Sequence, residues 1–319
     1  MKIKNKKIFI TGGAGFIGTN LIPRLIESNE IVVYDTLQRN SLKDTKLLDH
    51  PNLTLLQGDI LDGKKLRAAI KNSNVIIHMA AIAGVDTVIK SPTTTMRVNL
   101  LGASKVLEAT MTLNKVERFL NFSTSEVYGS YAYRSEEKAT TTMGAVGEAR
   151  WTYAISKLAV EHLAYSYYKE FGLPVTSIRP FNIYGPRQVG EGAIQVFIRR
   201  ALKNQDLQVE GNGDQIRSWC YISDIVDAII LCLESKKAIG EIFNIGNPLG
   251  TITVLSLAQK IIDLTNSKSK IVFVPKNYVD VELRIPSIQK AIKILGYRPK
   301  VDIDEGIRRT INWYKKKLE

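Results

Sequence analysis

The sequence predicts an α/β protein built on a doubly wound parallel sheet. Three observations carry that expectation. Short apolar runs alternate with helical patterns through the first half of the chain. A glycine-rich turn follows the first apolar run directly, and an acidic residue closes the second. The length of 319 residues, with 45% hydrophobic and 24% charged, suits a globular protein about twice the size of a typical domain.

In chain order, Lys7 to Ile10 reads as the first strand, because Ile8-Phe9-Ile10 is flanked by lysines and by Thr11-Gly12-Gly13. Ile17 to Ser28 reads as a helix. The β-branched run from Ile31 to Asp35 is the second strand, and Leu53 to Gln57 the third. Lys64 to Lys71 is a helix and Val75 to His78 the fourth strand. A helix carrying Asn99, Val106 and Leu107 follows, then a fifth strand from Arg118 to Ser123. Thr152 to Phe171 has the length of a long helix, and Val175 to Pro180 is the sixth strand.

The second half is less regular. Helices are expected over Glu191 to Asn204, Asp224 to Glu234, Val254 to Thr265 and Ile303 to Lys317. Leu207 to Glu210 reads as a short strand, and Glu241 to Ile245 as a strand returning to the main sheet. The division expected is a nucleotide-binding domain over 1–174 and a mostly substrate-binding lobe over 175–319, with strands near 175–180 and 241–245 interleaved into the first.

The formal charge of +13 comes from lysines spread along the chain. No zinc-finger spacing or RNA-binding aromatic motif accompanies them, so nucleic acid is not an expected partner, whereas a small anionic ligand such as a nucleotide fits. The N-terminal apolar run is too short for a signal-peptide core, and no stretch of 18 apolar residues occurs, so a cytoplasmic protein without a membrane span is expected. Cys220 and Cys232 read as two reduced thiols. His50, His78 and His162 lack ligand spacing, so no metal is expected, and His78, closing a strand, reads as structural.

Gly12, Gly15 and Gly18 are spaced three apart, after a strand and at the start of a helix. The first suits a tight turn, the second lets backbone approach a pyrophosphate, and the third lets helix pack on strand. Phe16 and Ile17 lie in the helix N-terminus that would face the phosphates. Asp35 falls 23 residues after Gly12, near the spacing of an acid that binds the adenine ribose. It would repel a 2′-phosphate, which favours NAD over NADP, and Arg39 is the one dissenting feature. Asp59-Ile60 suits contact with adenine.

Tyr153 and Lys157 stand at i and i+4, on one face of the long helix. An ammonium beside a phenol favours the phenolate, so Tyr153 is expected to act as a base near neutral pH.

With these residues in place, the sequence resembles the extended short-chain dehydrogenase/reductase family, in its nucleotide-sugar branch. The shared motifs are Thr11-Gly12-x-x-Gly15-x-x-Gly18, His78-Met79-Ala80-Ala81, Ser123 through Gly129, Tyr153-x-x-x-Lys157, Arg179 through Arg187, and Arg217 through Asp224. The resemblance implies a Rossmann sheet and NAD bound also by Ala80, Ala81, Asn99, Tyr153, Lys157 and Pro180. It implies a nucleotide-diphosphate sugar substrate, UDP-linked by preference, held by Asn182, Arg187 and Arg217. Tyr153 would take a proton from a sugar hydroxyl, usually at C4, with Thr124 bonded to the same oxygen and Lys157 on the nicotinamide ribose. A homodimer built on the helix near 99–112 and the Tyr153 helix is also implied.

Three outcomes share that opening step. The chain has Ser125-Glu126 where dTDP-glucose 4,6-dehydratases carry Asp-Glu, whereas UDP-glucuronate decarboxylases carry the same Thr-Ser-Glu. It is also similar to the aminoarabinose-pathway decarboxylase at Arg150-Trp151-Thr152-Tyr153 and over Asp280 to Ile288, where Arg284 matches a catalytic arginine. Arg284 could equally be a diphosphate clamp. Decarboxylation of UDP-glucuronate is therefore expected first, a UDP-hexose or UDP-hexuronate 4-epimerase next, a dehydratase third. A dinucleotide sensor comes last, because sensors lose the Tyr–Lys pair.

Overall fold

The structure is a computed structural model and describes residues 2–276 and 278–318. Seven strands form one all-parallel sheet: β1 (Lys7–Thr11), β2 (Glu30–Asp35), β3 (Leu53–Gln57), β4 (Val75–His78), β5 (Arg118–Phe122), β6 (Val175–Pro180) and β7 (Ile242–Ile245). Their spatial order is β3-β2-β1-β4-β5-β6-β7. The order reverses between β1 and β4, and ligands of such sheets bind at the carboxyl ends beside that switch.

Alternation along each strand divides two cores. Ile8, Ile10, Ile31, Val33, Val75 and Ile77 face one side, where the helix Ile222–Glu234 packs. Phe9, Val32, Ile76 and Phe119 face the other, against the helices Ala103–Met111 and Thr152–Phe171. Burial on both faces explains why these strands are continuous apolar runs.

Some elements depart from the sequence reading. The helix expected over Ile17 to Ser28 is a six-residue helix, Phe16–Leu21, followed by tight 3₁₀ turns at Ile22–Arg24 and Ile26–Ser28. Pro23 has no N–H to give to the preceding turn and ends the regular ladder. The helix around Asn99 contains a π-turn at Arg97–Gly102 before Ala103–Met111 resumes α-geometry. The helix expected from Glu191 begins at Ala193.

A four-stranded mixed sheet, three of its strands from the second half, runs in the order Thr251–Thr253, Ile216–Ser218, Leu283–Pro286, Tyr131–Ser135. Its register sets Arg217 opposite Arg284 on parallel neighbours. Leu207–Glu210 is a strand, as expected, and pairs with Ile271–Val274. No helix among the described residues is long and apolar enough to cross a membrane.

Candidate active site

The glycine turn leaves β1 at the switch point. Gly12 has φ +71°, and a Cβ there would stand 2.6 Å from the Ala80 backbone nitrogen. A Cβ on Gly18 would collide with the Gly13 backbone. These two positions therefore demand glycine for close approach of β1's turn to the loop after β4 and to its own helix. Thr11 fixes that loop further: its Oγ1 lies 2.7 Å from His78 Nδ1 and accepts from Ala80 N at 3.3 Å. Burial pushes His78 down to about 3, so it is neutral and structural, as its strand position suggested.

Asp35 ends β2 with its carboxylate on the turn: Oδ2 accepts from Ala14 N at 3.1 Å and Oδ1 from Leu37 N at 2.8 Å. Burial raises its pKa and these two bonds oppose the rise. Asp59 Oδ1 accepts from Leu61 N at 2.8 Å, and Ile60 is buried against Gly102. Asn99, in the π-turn, accepts from Ile82 N at 2.8 Å and donates to Ile82 O and to Ser156 Oγ, both at 3.1 Å. It clamps the loop carrying Ala80 and Ala81 to the Tyr153 helix.

Tyr153 and Lys157 sit one turn apart on the helix Thr152–Phe171, and the Thr124 hydroxyl is near enough to the phenol to pull its pKa down. Thr124 caps a short 3₁₀ turn, Ser125–Tyr128, its Oγ1 accepting from Glu126 N at 3.2 Å. Ser125 is buried beside it. Burial first, and then the Glu126 charge, push the Tyr153 phenol up to about 12, against the pull of Thr124, Arg284 and Arg150. Desolvation thus outweighs the neighbouring cations in setting the phenol's pKa. Lys157, also buried, is pushed down to about 8, with Glu161 opposing.

Beside Tyr153 lies a compact charge cluster. Arg150 grips Glu126 with two contacts, at 2.8 and 3.3 Å, and reaches Asp280 at 3.4 Å. Arg284 Nη1 is 3.5 Å from Glu126 Oε1. Arg217 and Lys276 meet Asp280 Oδ2 at 3.2 and 2.9 Å. Four cations thus face two carboxylates, an excess of two positive charges. Arg284 is 4% exposed, and its Nε and Nη2 have no hydrogen-bond partner among the described residues. Burial pushes its pKa down to about 10.

The remaining sequence candidates lie on the lobe side. Pro180 ends β6. Asn182 donates to Ser218 O at 3.0 Å, and Arg187, half-buried with φ +72°, receives the Ser41 hydroxyl on its carbonyl at 3.0 Å. Arg217 spends donors on the carbonyls of Ile216, Val281 and Glu282 as well as on Asp280. Among the described residues no group of three or more His, Cys, Asp or Glu is placed to hold a metal ion.

Residues 8–246 match the family described as NAD dependent epimerase/dehydratase. The chain belongs to the NAD dependent epimerase/dehydratase family. Within it, the chain is 35% identical to the UDP-N-acetyl-alpha-D-glucosaminuronate decarboxylase of Bacillus cytotoxicus, over 97% of this chain and 98% of that protein. It is 33% identical to the dTDP-D-glucose 4,6-dehydratase of Bos taurus, over 97% and 89% respectively. The crystal structure of the UDP-glucose 4-epimerase of Thermotoga maritima superposes with a TM-score of 0.90 at 29% identity, covering 98% of this chain and all of that one.

The family cofactor is NAD, and the cradle fits it. Space is kept by glycine where a pyrophosphate must approach, and a carboxylate stands at the end of β2 where ribose hydroxyls need an acceptor. Gly12, Gly15, Phe16, Ile17, Gly18 and Asp35 gather at the carboxyl ends of β1 and β2, and Tyr153, Lys157 and Thr124 at those of β4 to β6.

Sequence reasoning quoted Arg150 and Asp280 only within family motifs and did not give them roles. The arginine preceding Trp151 carried the available signal. Asp280 and Lys276 became visible only when the strand Leu283–Pro286 brought their loop over Glu126.

Proposed function

We propose that the protein is an NAD-dependent decarboxylase of a UDP-hexuronate, of the UDP-glucuronate type. The observation that carries this is the buried Arg284 guanidinium, two of whose nitrogens lack partners among the described residues, in a cluster where four described cations face two carboxylates beside Tyr153. A buried, partly unpaired cation costs stability unless an anion completes it. A sugar C6 carboxylate two bonds from C4 is such an anion.

NAD, when bound, supplies the hydride acceptor and donor and a cationic ring. Burial keeps Tyr153 protonated near neutral pH, so its phenolate must be favoured by the Lys157 ammonium and the charge of the bound cofactor ring; it then takes the proton of the 4-hydroxyl, with Thr124 bonded to the same oxygen. The resulting β-keto acid loses CO2 as the C5–C6 bond breaks and its electron pair passes into the enolate. Arg284 orients the carboxylate and steadies the enolate. Glu126, held by Arg150, serves the reprotonation of C5. Tyr153 then returns its proton to O4 as the ketone is reduced.

A 4-epimerase is the second reading, favoured by the close superposition on the Thermotoga maritima enzyme. Epimerisation leaves C5 untouched and needs neither Glu126 nor Arg284 at the carboxylate. UDP-glucuronate turned over in deuterated water separates the two. UDP-xylose with deuterium at C5, by NMR, is the expected product. UDP-galacturonate without deuterium would overturn the decarboxylase in favour of the epimerase. Glu126→Gln and Arg284→Ala should each slow CO2 release about a hundredfold, the scale of a lost positioned charge.

The same reading includes a homodimer. Leu101, Met111, Ile155 and Tyr165 are 39% to 49% exposed on the segment 97–111 and the Tyr153 helix. Leu101→Lys with Ile155→Lys should convert a dimer to a monomer in sedimentation.

A further inference from the structure

Arg39 is the residue at odds with an NAD site, since an arginine in the loop after the second strand can accommodate a ribose 2′-phosphate. In the structure its guanidinium is already engaged. Nη1 donates to Ala83 O at 3.1 Å, Nη2 donates to Thr87 Oγ1 at 3.2 Å, and Nη2 stands 3.7 Å from Glu191 Oε1. Glu191 is itself anchored, accepting from Asp86 N at 2.9 Å and from Thr87 Oγ1 at 2.6 Å. Gly84, at φ +104°, makes room for it, because a Cβ there would fall 2.7 Å from the Glu191 carboxylate. Three separate segments, 36–40, 83–87 and 190–191, therefore converge on one ion pair.

Both partners are partly open, with side chains 44% and 28% exposed. The pair accordingly contributes little to stability. Its effect is directional: a 2′-phosphate seeking Arg39 must compete with a carboxylate whose own position is fixed by two other donors.

We propose that Glu191 is a positioning residue for cofactor choice, holding Arg39 on the 83–87 loop and withholding it from a 2′-phosphorylated dinucleotide. Discrimination then has two parts. Asp35 repels the extra phosphate, and the cation that would welcome it is occupied. Glu191 comes from the far half of the chain, so cofactor choice is not written in the first βαβ unit alone. The inference concerns the adenosine end and stands whichever sugar reaction the enzyme performs.

Calorimetry of NAD and NADP binding to the purified full chain, at fixed ionic strength, tests it. Asp35→Ser removes the repulsion and sets the baseline. Adding Glu191→Gln, which keeps the side-chain length and one of the two acceptors while removing the charge, should tighten NADP by about fivefold or more, the effect of a released charge-assisted phosphate contact. NAD affinity should move by less than about threefold in the same comparison. Adding Arg39→Ala should cancel the gain. Glu191→Gln in the otherwise unchanged protein should shift the NADP-to-NAD affinity ratio the same way, and this variant does not depend on the Asp35 substitution folding. Equal NADP affinity with and without Glu191→Gln would overturn the proposal. So would a gain that survives Arg39→Ala, or equal shifts for both dinucleotides, which would mark Glu191 as merely structural.

Discussion

Replacing Lys157 by Met should stabilise the ligand-free protein while abolishing its activity. Lys157 is 2% exposed, and burial lowers its pKa from 10.5 to about 8. Below pH 8 the folded protein must hold a charged ammonium that the unfolded chain carries in water. The shift of about 2.5 units, at 1.36 kcal/mol each, makes that charge cost about 3 kcal/mol at pH 7. Methionine has similar volume and no charge. Glu161 does not lose its only partner, because Arg179 already grips both its oxygens. At a typical unfolding entropy of about 2 cal/mol/K per residue, the gain corresponds to roughly 5 °C in Tm. Between about pH 8 and 10.5 the unfolded state of the parent binds more protons than the folded one, so the parent gains stability as pH rises while the variant does not. The advantage of Lys157→Met is therefore full below pH 8 and gone near 10.5. Paired melts of ligand-free parent and variant at pH 6, 7, 9 and 10 read this directly. No advantage at pH 7, or an advantage that grows toward pH 10, would refute the reasoning.

Tyr153→Phe keeps the ring and removes the ionisable oxygen; NAD binding by calorimetry should persist while turnover falls by roughly two to four orders of magnitude. NAD should bind the parent at least about tenfold more tightly than NADP, a difference of about 1.4 kcal/mol, in the same calorimeter. Arg179→Met strands the buried Glu161 carboxylate and should cost about 3–5 kcal/mol in chemical denaturation; adding Glu161→Leu should restore much of it, because the pair rather than either charge is tolerated.

The large sheet was legible because its strands are buried on both faces, so Ile8-Phe9-Ile10 and Val75-Ile76-Ile77 read as unbroken apolar runs bounded by turn residues. The NAD cradle was legible for a related reason: backbone approach leaves glycine as the only choice at Gly12 and Gly18, and such constraints survive in sequence. The small sheet was not. Ile216–Ser218 and Thr251–Thr253 have three residues each, too few to show a period, and Tyr131–Ser135 exposes alternate tyrosines at a sheet edge. The charge cluster was hidden because its members come from distant loops and meet only through strand register, Arg217 beside Arg284. The upward push on the Tyr153 phenol was not legible, because a charge at i+4 is visible in sequence and desolvation is not.

The placement of β7 bears on how the protein is made. β6 pairs with β5 on one side and with β7 on the other, and β7 is encoded far downstream, after much of the small lobe. At ribosomal rates of about 5–20 residues per second, the outer edge of β6 waits several seconds for its partner. During that interval the nascent chain presents an unpaired, apolar strand edge, the kind of surface on which chains associate wrongly. A ribosome-bound chain stalled before residue 242 should accordingly engage chaperones that one stalled well past the chain's end releases. For the same reason a fragment cut between β6 and β7 should fail to bind the dinucleotide on its own, since its sheet lacks the last strand, Ile242–Ile245.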